Sequence, residues 1–117
     1  KLLWSAAPIE MSRPYMSRQV FTRMLQSLIG EMVYTSNAPK FVEVIGWEKD
    51  GSDYFAVINE QEESPVVSMH DIYIDVKKPD KKAVLLPEET ELQTEVLGDT
   101  LRIYLPKVEI FRMIRLV

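Results

Sequence analysis

His70 is the first side chain to consider for chemistry, because it is the only histidine in the sequence. A general base or a metal ligand needs companions at matched spacing, and the neighbouring Asp71 does not supply them. A serine triad would also depend on His70, but the sequence contains no G-x-S-x-G elbow. His70 shares its strand parity with the apolar residues that follow it. We therefore favour a structural or surface role for His70 over a functional one.

Acidic residues are the second possible source of chemistry. They occur in two runs, which are Glu60, Glu62 and Glu63, and Glu88, Glu89 and Glu91. A hydrolytic pair must face each other across about 5–10 Å, with the pKa of one carboxyl group raised by burial. Runs in polar loops are solvated and provide no such asymmetry, so we predict two solvent-exposed loops. A calcium site at Asp50, Ser52 and Asp53 is conceivable, but an Asp-Gly hairpin turn explains these residues completely.

Aromatic residues offer a third kind of chemistry, because exposed rings can stack against sugars. Tyr73 and Tyr104 lie on the polar parity of their strands, so they are the candidate carbohydrate-contact residues. Tyrosine is also common on exposed strand faces because of its β-propensity. Trp47 shares its parity with Phe41 and Ile45, and this pattern favours packing of Trp47 in the core.

Composition excludes several classes of function. The sequence contains no cysteine, which rules out disulfides, thiolate zinc sites and cysteine nucleophiles. A net charge of -4 argues against nucleic acid as a partner, and no apolar run approaches the roughly 20 residues of a membrane span. The four glycines are too dispersed to form a phosphate-binding loop. We assign no catalytic, metal-binding or cofactor-binding residue, and we expect a soluble protein, either cytoplasmic or secreted.

The elements that carry these residues change character after Pro39. From residue 38 onward, short β-rich runs alternate with turn signals, and Asp50-Gly51 and Gly98-Asp99 each predict a hairpin. The predicted strands are 41–47, 54–58, 66–76, 83–86, 92–96, 101–105 and 108–117. This spacing predicts a mainly β protein, with residues 38–117 forming a small antiparallel, immunoglobulin-like β-sandwich of seven or eight strands.

The last strand has an irregular pattern. Its apolar residues change parity between Val108 and Val117, which indicates either a β-bulge or a change of sheet. Pro106 separates this segment from the preceding strand, and we expect a corner there.

Residues 1–37 follow a different pattern, with a short apolar strand and then one amphipathic helix over 17–29. The apolar stripe of this helix consists of Val20, Phe21, Met24, Leu25 and Leu28. The stripe could pack on the sandwich or on a domain outside this sequence. Because the chain opens on Lys1 rather than on methionine, we interpret it as a processed or excised piece of a longer protein.

The order of these segments resembles the C-terminal region of β-galactosidase-like glycoside hydrolases. Residues 1–10 and the helix resemble the last strand and helix of the flavodoxin-like trimerisation domain of that family. Residues 38–44, 54–59 and 101–111 resemble strands of the small β-sandwich that follows it. The resemblance implies that residues 1–37 are a remnant of the preceding domain, and that the catalytic carboxylates lie on a barrel outside this chain.

Three functions remain open from the sequence. The favoured one is a non-catalytic accessory or scaffolding domain of a larger glycoside hydrolase, with the rest of its parent polypeptide as partner. The alternatives are a carbohydrate-binding module that uses exposed tyrosines, and an immunoglobulin-like spacer or adhesion domain. Homo-oligomer formation and carbohydrate binding stay open as well.

Overall fold

The structure, a computed structural model, describes residues 15–29, 32–62 and 65–117, without the side chains of residues 15–18. The chain divides into two compact units, Lys1–Val33 and Tyr34–Val117. The short strand predicted within residues 1–10 lies outside the described residues. The division falls close to the predicted boundary between residues 37 and 38.

The first unit contains one described helix, α1 (Tyr15–Ile29), which begins two residues before the predicted start. Of the predicted apolar stripe, Val20 and Leu25 are exposed, whereas Phe21, Met24 and Leu28 are half-buried. Across the described residues, no helix has the length and apolar character that crossing a membrane requires.

The second unit is a sandwich of two antiparallel sheets, as the spacing of strands and turns predicts. Its strands are β1 (Tyr34–Ser36), β2 (Val42–Lys49), β3 (Ser52–Asn59), β4 (Met69–Val76), β5 (Ala83–Leu86), β6 (Thr90–Glu91), β7 (Thr94–Leu97), β8 (Thr100–Val108) and β9 (Phe111–Leu116). The four-stranded sheet has the order β1-β4-β8-β7, and the five-stranded sheet has the order β2-β3-β9-β5-β6.

The core lies between the two sheets and consists mainly of aliphatic side chains, with Phe55 among them. Ile72 and Ile74 of β4 face it from one sheet, and Val57 of β3 and Ile114 of β9 face it from the other, all at most 2% exposed. The alternation predicted for β4 is confirmed here, because period-2 spacing places every second side chain on the buried face.

Both predicted hairpins form. Asp50 and Gly51 adopt positive φ angles of 53° and 77°, as a two-residue type I′ turn requires, and they join β2 to β3. Gly98 has a φ of 66° in the turn between β7 and β8. These turns fix the register of the strands that they connect.

After β5, the chain changes sheet twice more. The N–H of Leu92 bonds to Ala83 of the five-stranded sheet, and the carbonyl of Gln93 accepts a bond from Tyr104 of the four-stranded sheet. The predicted strand 92–96 therefore begins two residues late, as β7, and Leu92 and Gln93 connect it to β6 in the other sheet. The parity change after Val108 is likewise a change of sheet, from β8 to β9.

Two differences from the predicted boundaries have a clear physical cause. The sandwich includes Tyr34–Ser36, four residues before the expected start at Ala38, because this segment pairs with β4. β8 continues through Pro106 to Val108 instead of ending before it. The ladder between β4 and β8 has no pair at Pro106 and Asp71, because proline has no N–H to donate.

Candidate functional site

Tyr73 and Tyr104, the predicted carbohydrate-contact residues, lie side by side on the outer face of the four-stranded sheet. Tyr73 is on β4 and Tyr104 is on β8, and they are directly opposed in the register of these strands. Their ring centroids are 6.4 Å apart, with the ring planes at 65°. Both residues are half-buried. The structure thus brings the two tyrosines together, but their rings meet edge to face and do not form a flat platform.

Arg102 covers one face of the Tyr73 ring. Its Cζ atom lies 3.9 Å from the ring centroid, a cation–π contact. The same guanidinium donates two hydrogen bonds of 2.8 Å to the two carboxylate oxygens of Asp75. The bond to Asp75 is the main reason that the pKa of Arg102 is raised. A sugar could therefore stack on this face of Tyr73 only by displacing a charged group that is already paired.

The hydroxyl of Tyr104 is also occupied. It donates a 2.7 Å hydrogen bond to the Oε2 atom of Glu95 on the neighbouring strand β7. This bond is the main cause of a raised pKa at Tyr104. We call the surface formed by Tyr73, Asp75, Glu95, Arg102 and Tyr104 the tyrosine face.

No sequence pattern indicates that Asp75, Glu95 and Arg102 are neighbours of the tyrosines. Their proximity depends on the pairing of three strands, β4, β8 and β7, in which Asp75 and Glu95 both lie opposite Arg102. Alternation places these residues on the polar side of their strands, but it does not reveal which strands are adjacent. The tyrosine face can be assembled only once the strand order is known.

His70 lies at the surface, in agreement with the favoured prediction. It is exposed although it has the same parity as the buried residues that follow it. Asp71 has a φ of 56°, and this left-handed residue interrupts the alternation between His70 and Ile72. The Nδ1 atom of His70 is 3.1 Å from the carbonyl oxygen of Pro106. His70 thus makes a local backbone contact at the end of β4.

The acidic runs are exposed where the structure describes them. Glu60 and Glu62 are exposed, and so are all three members of the second run. Glu63 lies outside the described residues. Glu60 and Glu62 border a shallow open pocket together with Lys40, Phe41 and Gln61. Among the described residues, no group of three histidine, aspartate or glutamate side chains is close enough to hold a metal ion.

Two of the three residues considered for a calcium site, Asp50 and Asp53, have structural roles. Asp50 forms the hairpin turn, and Asp53 pairs with the Nζ atom of Lys78 at 2.5 Å. The hydrogen bond to Asp53 raises the pKa of Lys78. The ion pair with Lys78 accounts for the carboxylate of Asp53.

Trp47 is not a core residue, and the prediction that it packs inside is wrong. It is 38% exposed and Ile45 is 41% exposed, whereas Val42 of the same strand faces the core. The two-residue hairpin sets Trp47 opposite Tyr54, and their rings stack with centroids 5.6 Å apart and planes at 12°. Both faces of β2 carry apolar side chains, so alternation alone could not show which face is buried.

Trp47 and Tyr54 belong to an unusually apolar outer surface of the five-stranded sheet. We call this surface the apolar face, defined by Ile45, Trp47, Tyr54, Ile58, Phe111 and Met113. Phe111 is 46% exposed, and Ile58 and Met113 are half-buried. The apolar face and the tyrosine face lie on opposite outer surfaces of the sandwich, and they differ strongly in polarity.

Comparison with known proteins identifies the fold. No family model matches the sequence, and no curated protein matches it. Among solved structures, the chain is similar to alpha-L-fucosidase isoenzyme 2 from Paenibacillus thiaminolyticus, with a TM-score of 0.71 and 13% sequence identity. The match covers 86% of this chain and 18% of the fucosidase chain. The chain therefore shares its fold with a segment of a glycoside hydrolase and spans less than a fifth of that enzyme's length.

Proposed function

We propose that this chain is a non-catalytic accessory domain of a larger glycoside hydrolase, which it supports by packing against the rest of the polypeptide. The fold likeness to a fucosidase favours this context, because the matched segment is a small part of a much longer enzyme. The resemblance of the sequence to the C-terminal region of β-galactosidase-like enzymes points to the same class of parent protein.

The apolar face is the main observation in favour of a scaffolding role. An antiparallel sheet that faces water on one side usually alternates apolar and polar residues, so that its outer surface is polar. Here the outer surface instead presents Trp47, Ile45 and Phe111, each more than a third exposed. Contiguous apolar surface of this kind marks an interaction site. We propose that a neighbouring domain of the parent protein covers it.

The tyrosine face supports a non-catalytic role. Its charged groups are bonded to one another, Arg102 to Asp75 and Tyr104 to Glu95. Such closed pairs stabilise cross-strand contacts. A glycosidase pair instead needs two carboxyl groups that face a common cleft, one of them protonated. In the proposed function the acting residues belong to another domain of the parent enzyme.

The apolar stripe of α1 is a second proposed contact with the parent protein. Val20 and Leu25 are exposed on it, and Phe21, Met24 and Leu28 are half-buried. An amphipathic helix of this kind needs a partner surface for its apolar side. We propose that the preceding domain supplies that surface.

Assays of the isolated chain and of the full-length gene product test this proposal. The isolated chain should show no turnover of p-nitrophenyl fucosides or galactosides, whereas the full-length protein should hydrolyse a glycoside. Turnover by the isolated chain, lost on Glu60→Gln or Glu89→Gln, would contradict the non-catalytic role. A full-length product without a sugar-cleaving domain would contradict the proposed parent.

A carbohydrate-binding module is the second candidate, and the stacked pair Trp47 and Tyr54 favours it over the tyrosines of the other sheet. Trp47 is exposed, and its ring is oriented by the stack on Tyr54. Affinity electrophoresis in gels that contain soluble polysaccharides distinguishes the two candidates. Retardation of the isolated chain that Trp47→Ala abolishes would establish binding, and Tyr73→Ala serves as the matched control. Equal mobility in all gels would rule out carbohydrate binding and leave scaffolding as the remaining function.

A further inference from the structure

The strand β2 lies at the edge of the five-stranded sheet. Within the described part of the chain it pairs only with β3, so its other edge is open to a further strand. It is eight residues long (Val42–Lys49). An edge strand of this length presents a row of backbone N–H and C=O groups to any second strand that approaches. Proteins protect such edges with charges, prolines, bulges or covering groups.

Tyr34 supplies a covering group from the opposite sheet. Its hydroxyl donates a 3.0 Å hydrogen bond to the carbonyl oxygen of Val44 and accepts a 3.2 Å bond from the N–H of Gly46. Residues two apart on a strand direct their backbone groups to the same edge, so both groups point away from β3. These are the groups that an added strand would need.

The Tyr34 side chain is held firmly in this position. Its ring packs edge to face on Phe55, with centroids 5.2 Å apart and planes at 78°. A Cβ atom on Gly46 would lie only 2.8 Å from the Cε1 atom of Tyr34, so the absence of a side chain at Gly46 creates the space for the ring.

The residues of β2 are complementary to a second copy of the same strand. An antiparallel pair of β2 strands centred on Gly46 would set Glu43 of one copy opposite Lys49 of the other, and Ile45 opposite Trp47. The two-fold symmetry repeats each pair, which is the arrangement of an isologous interface. Opposite charges and an aromatic–β-branched pair are favourable cross-strand neighbours, and like charges do not face each other.

We propose that β2 is a strand-pairing surface for a second copy of this chain, and that the Tyr34 hydroxyl keeps this surface closed. Removal of the hydroxyl leaves the Val44 carbonyl and the Gly46 N–H without partners at an exposed edge. Pairing with a second β2 strand satisfies both groups and joins two five-stranded sheets into one. This inference does not depend on the proposed enzyme context.

Sedimentation velocity of Tyr34→Phe tests the proposal, with Tyr54→Phe as a matched loss of a hydroxyl away from the edge. Tyr34→Phe should self-associate roughly tenfold or more tightly than the wild type, because two backbone groups per copy gain partners. Tyr54→Phe should sediment as the wild type does. Far-UV circular dichroism verifies folding, and Tyr34→Leu, which also lacks the hydroxyl, should behave as Tyr34→Phe does.

Charge reversal identifies the surface that pairs. In the Tyr34→Phe background, Glu43→Lys should weaken self-association roughly tenfold, because two symmetry-related ion pairs become repulsive. Addition of Lys49→Glu should restore it. A folded Tyr34→Phe protein that sediments like the wild type would overturn the proposal. A dimer that is insensitive to both charge changes would overturn the assignment of the surface to β2.

Discussion

The hydroxyl of Tyr34 accepts a hydrogen bond from the N–H of Gly46 across 3.2 Å, although the two residues belong to opposite sheets of the sandwich. The contact links β1, a strand of three residues, to the edge of the five-stranded sheet. It also explains the glycine, because a Cβ at this position would lie 2.8 Å from the ring of Tyr34 and 2.9 Å from that of Phe55.

Gly46→Ala should therefore destabilise the sandwich. The added methyl group cannot be accommodated without displacement of two aromatic rings, and overpacking of this kind costs about 1–3 kcal/mol. Urea denaturation measures the change in the free energy of unfolding. Gly51→Ala is unsuitable as a control, because the positive φ at Gly51 would strain an alanine. Ala56→Gly on the neighbouring strand β3 controls for the general effect of backbone entropy. A Gly46→Ala protein as stable as the wild type would contradict the close packing.

Alanine substitutions of Ile103 and Ile110 test where the core lies. Ile103 is fully buried between the sheets, whereas Ile110 is 65% exposed between β8 and β9. Ile103→Ala should lower the free energy of unfolding by about 2–5 kcal/mol, because it removes buried methyl groups and leaves a cavity. Ile110→Ala should change it by about 0.5 kcal/mol or less. Equal losses would show that the core is placed incorrectly.

Asn59 is a buried polar residue that ties three segments together. Its Nδ2 atom donates to the carbonyl oxygens of Val67 at 3.0 Å and Glu109 at 2.8 Å, and its Oδ1 atom accepts a bond from Gln61. Asn59→Asp would place a carboxylate oxygen against two carbonyl oxygens and should cost about 2 kcal/mol or more.

The loss from Asn59→Asp should depend on pH in a defined direction. Repulsion by the carbonyls raises the folded-state pKa of the introduced carboxyl group above its unfolded value of about 3.9. The stability of the variant is therefore greatest at low pH and falls as pH rises through the folded-state pKa. Urea denaturation at about pH 4 and pH 8 should show a smaller gap from the wild type at pH 4. A gap independent of pH would contradict these hydrogen bonds.

Tyr104 should ionise at higher pH than an unperturbed tyrosine. Its hydroxyl bonds to Glu95, and this bond is the main reason that its pKa is raised. Because the folded-state pKa lies above the unfolded value of about 10, the bond contributes stability below pH 10. That contribution is lost as pH rises through the raised pKa.

Ultraviolet titration of the tyrosinate band measures this pKa. Glu95→Ala should return the late-titrating tyrosine towards about pH 10, and Tyr104→Phe should remove it from the titration. Glu91→Ala, the loss of an exposed carboxylate on β6 of the other sheet, should leave the titration as it is. A late titration that survives Tyr104→Phe would assign the raised pKa to another tyrosine.

The hairpins could be predicted from the sequence because their determinants are local. The turn at Asp50-Gly51 requires positive φ angles that few residue pairs accept. Its position therefore predicts where the two flanking strands end and begin. The buried face of β4 could be predicted for the same reason, since β4 is apolar on one parity and polar on the other. The existence of a sandwich follows from several such signals in succession.

The change of sheet at Leu92 and the identity of the apolar face could not be predicted. At Leu92 the chain crosses from one sheet to the other while the residue itself stays buried, so the apolar pattern continues without a visible break. For Trp47, both parities of β2 are apolar, and only the sheet on the other side of the core decides which parity is buried. These choices depend on contacts between distant segments, which a single sequence does not display.

In the proposed function, the apolar face packs against another domain of a parent enzyme. Hydroxyl-radical footprinting with mass spectrometry tests it most directly, by comparing the isolated chain with the full-length protein. Trp47, Phe111 and Met113 should be oxidised readily in the isolated chain and protected in the full-length protein, while Tyr73 and Tyr104 should be modified equally in both. Equal oxidation of Trp47, Phe111 and Met113 in the two proteins would show that no other domain covers the apolar face.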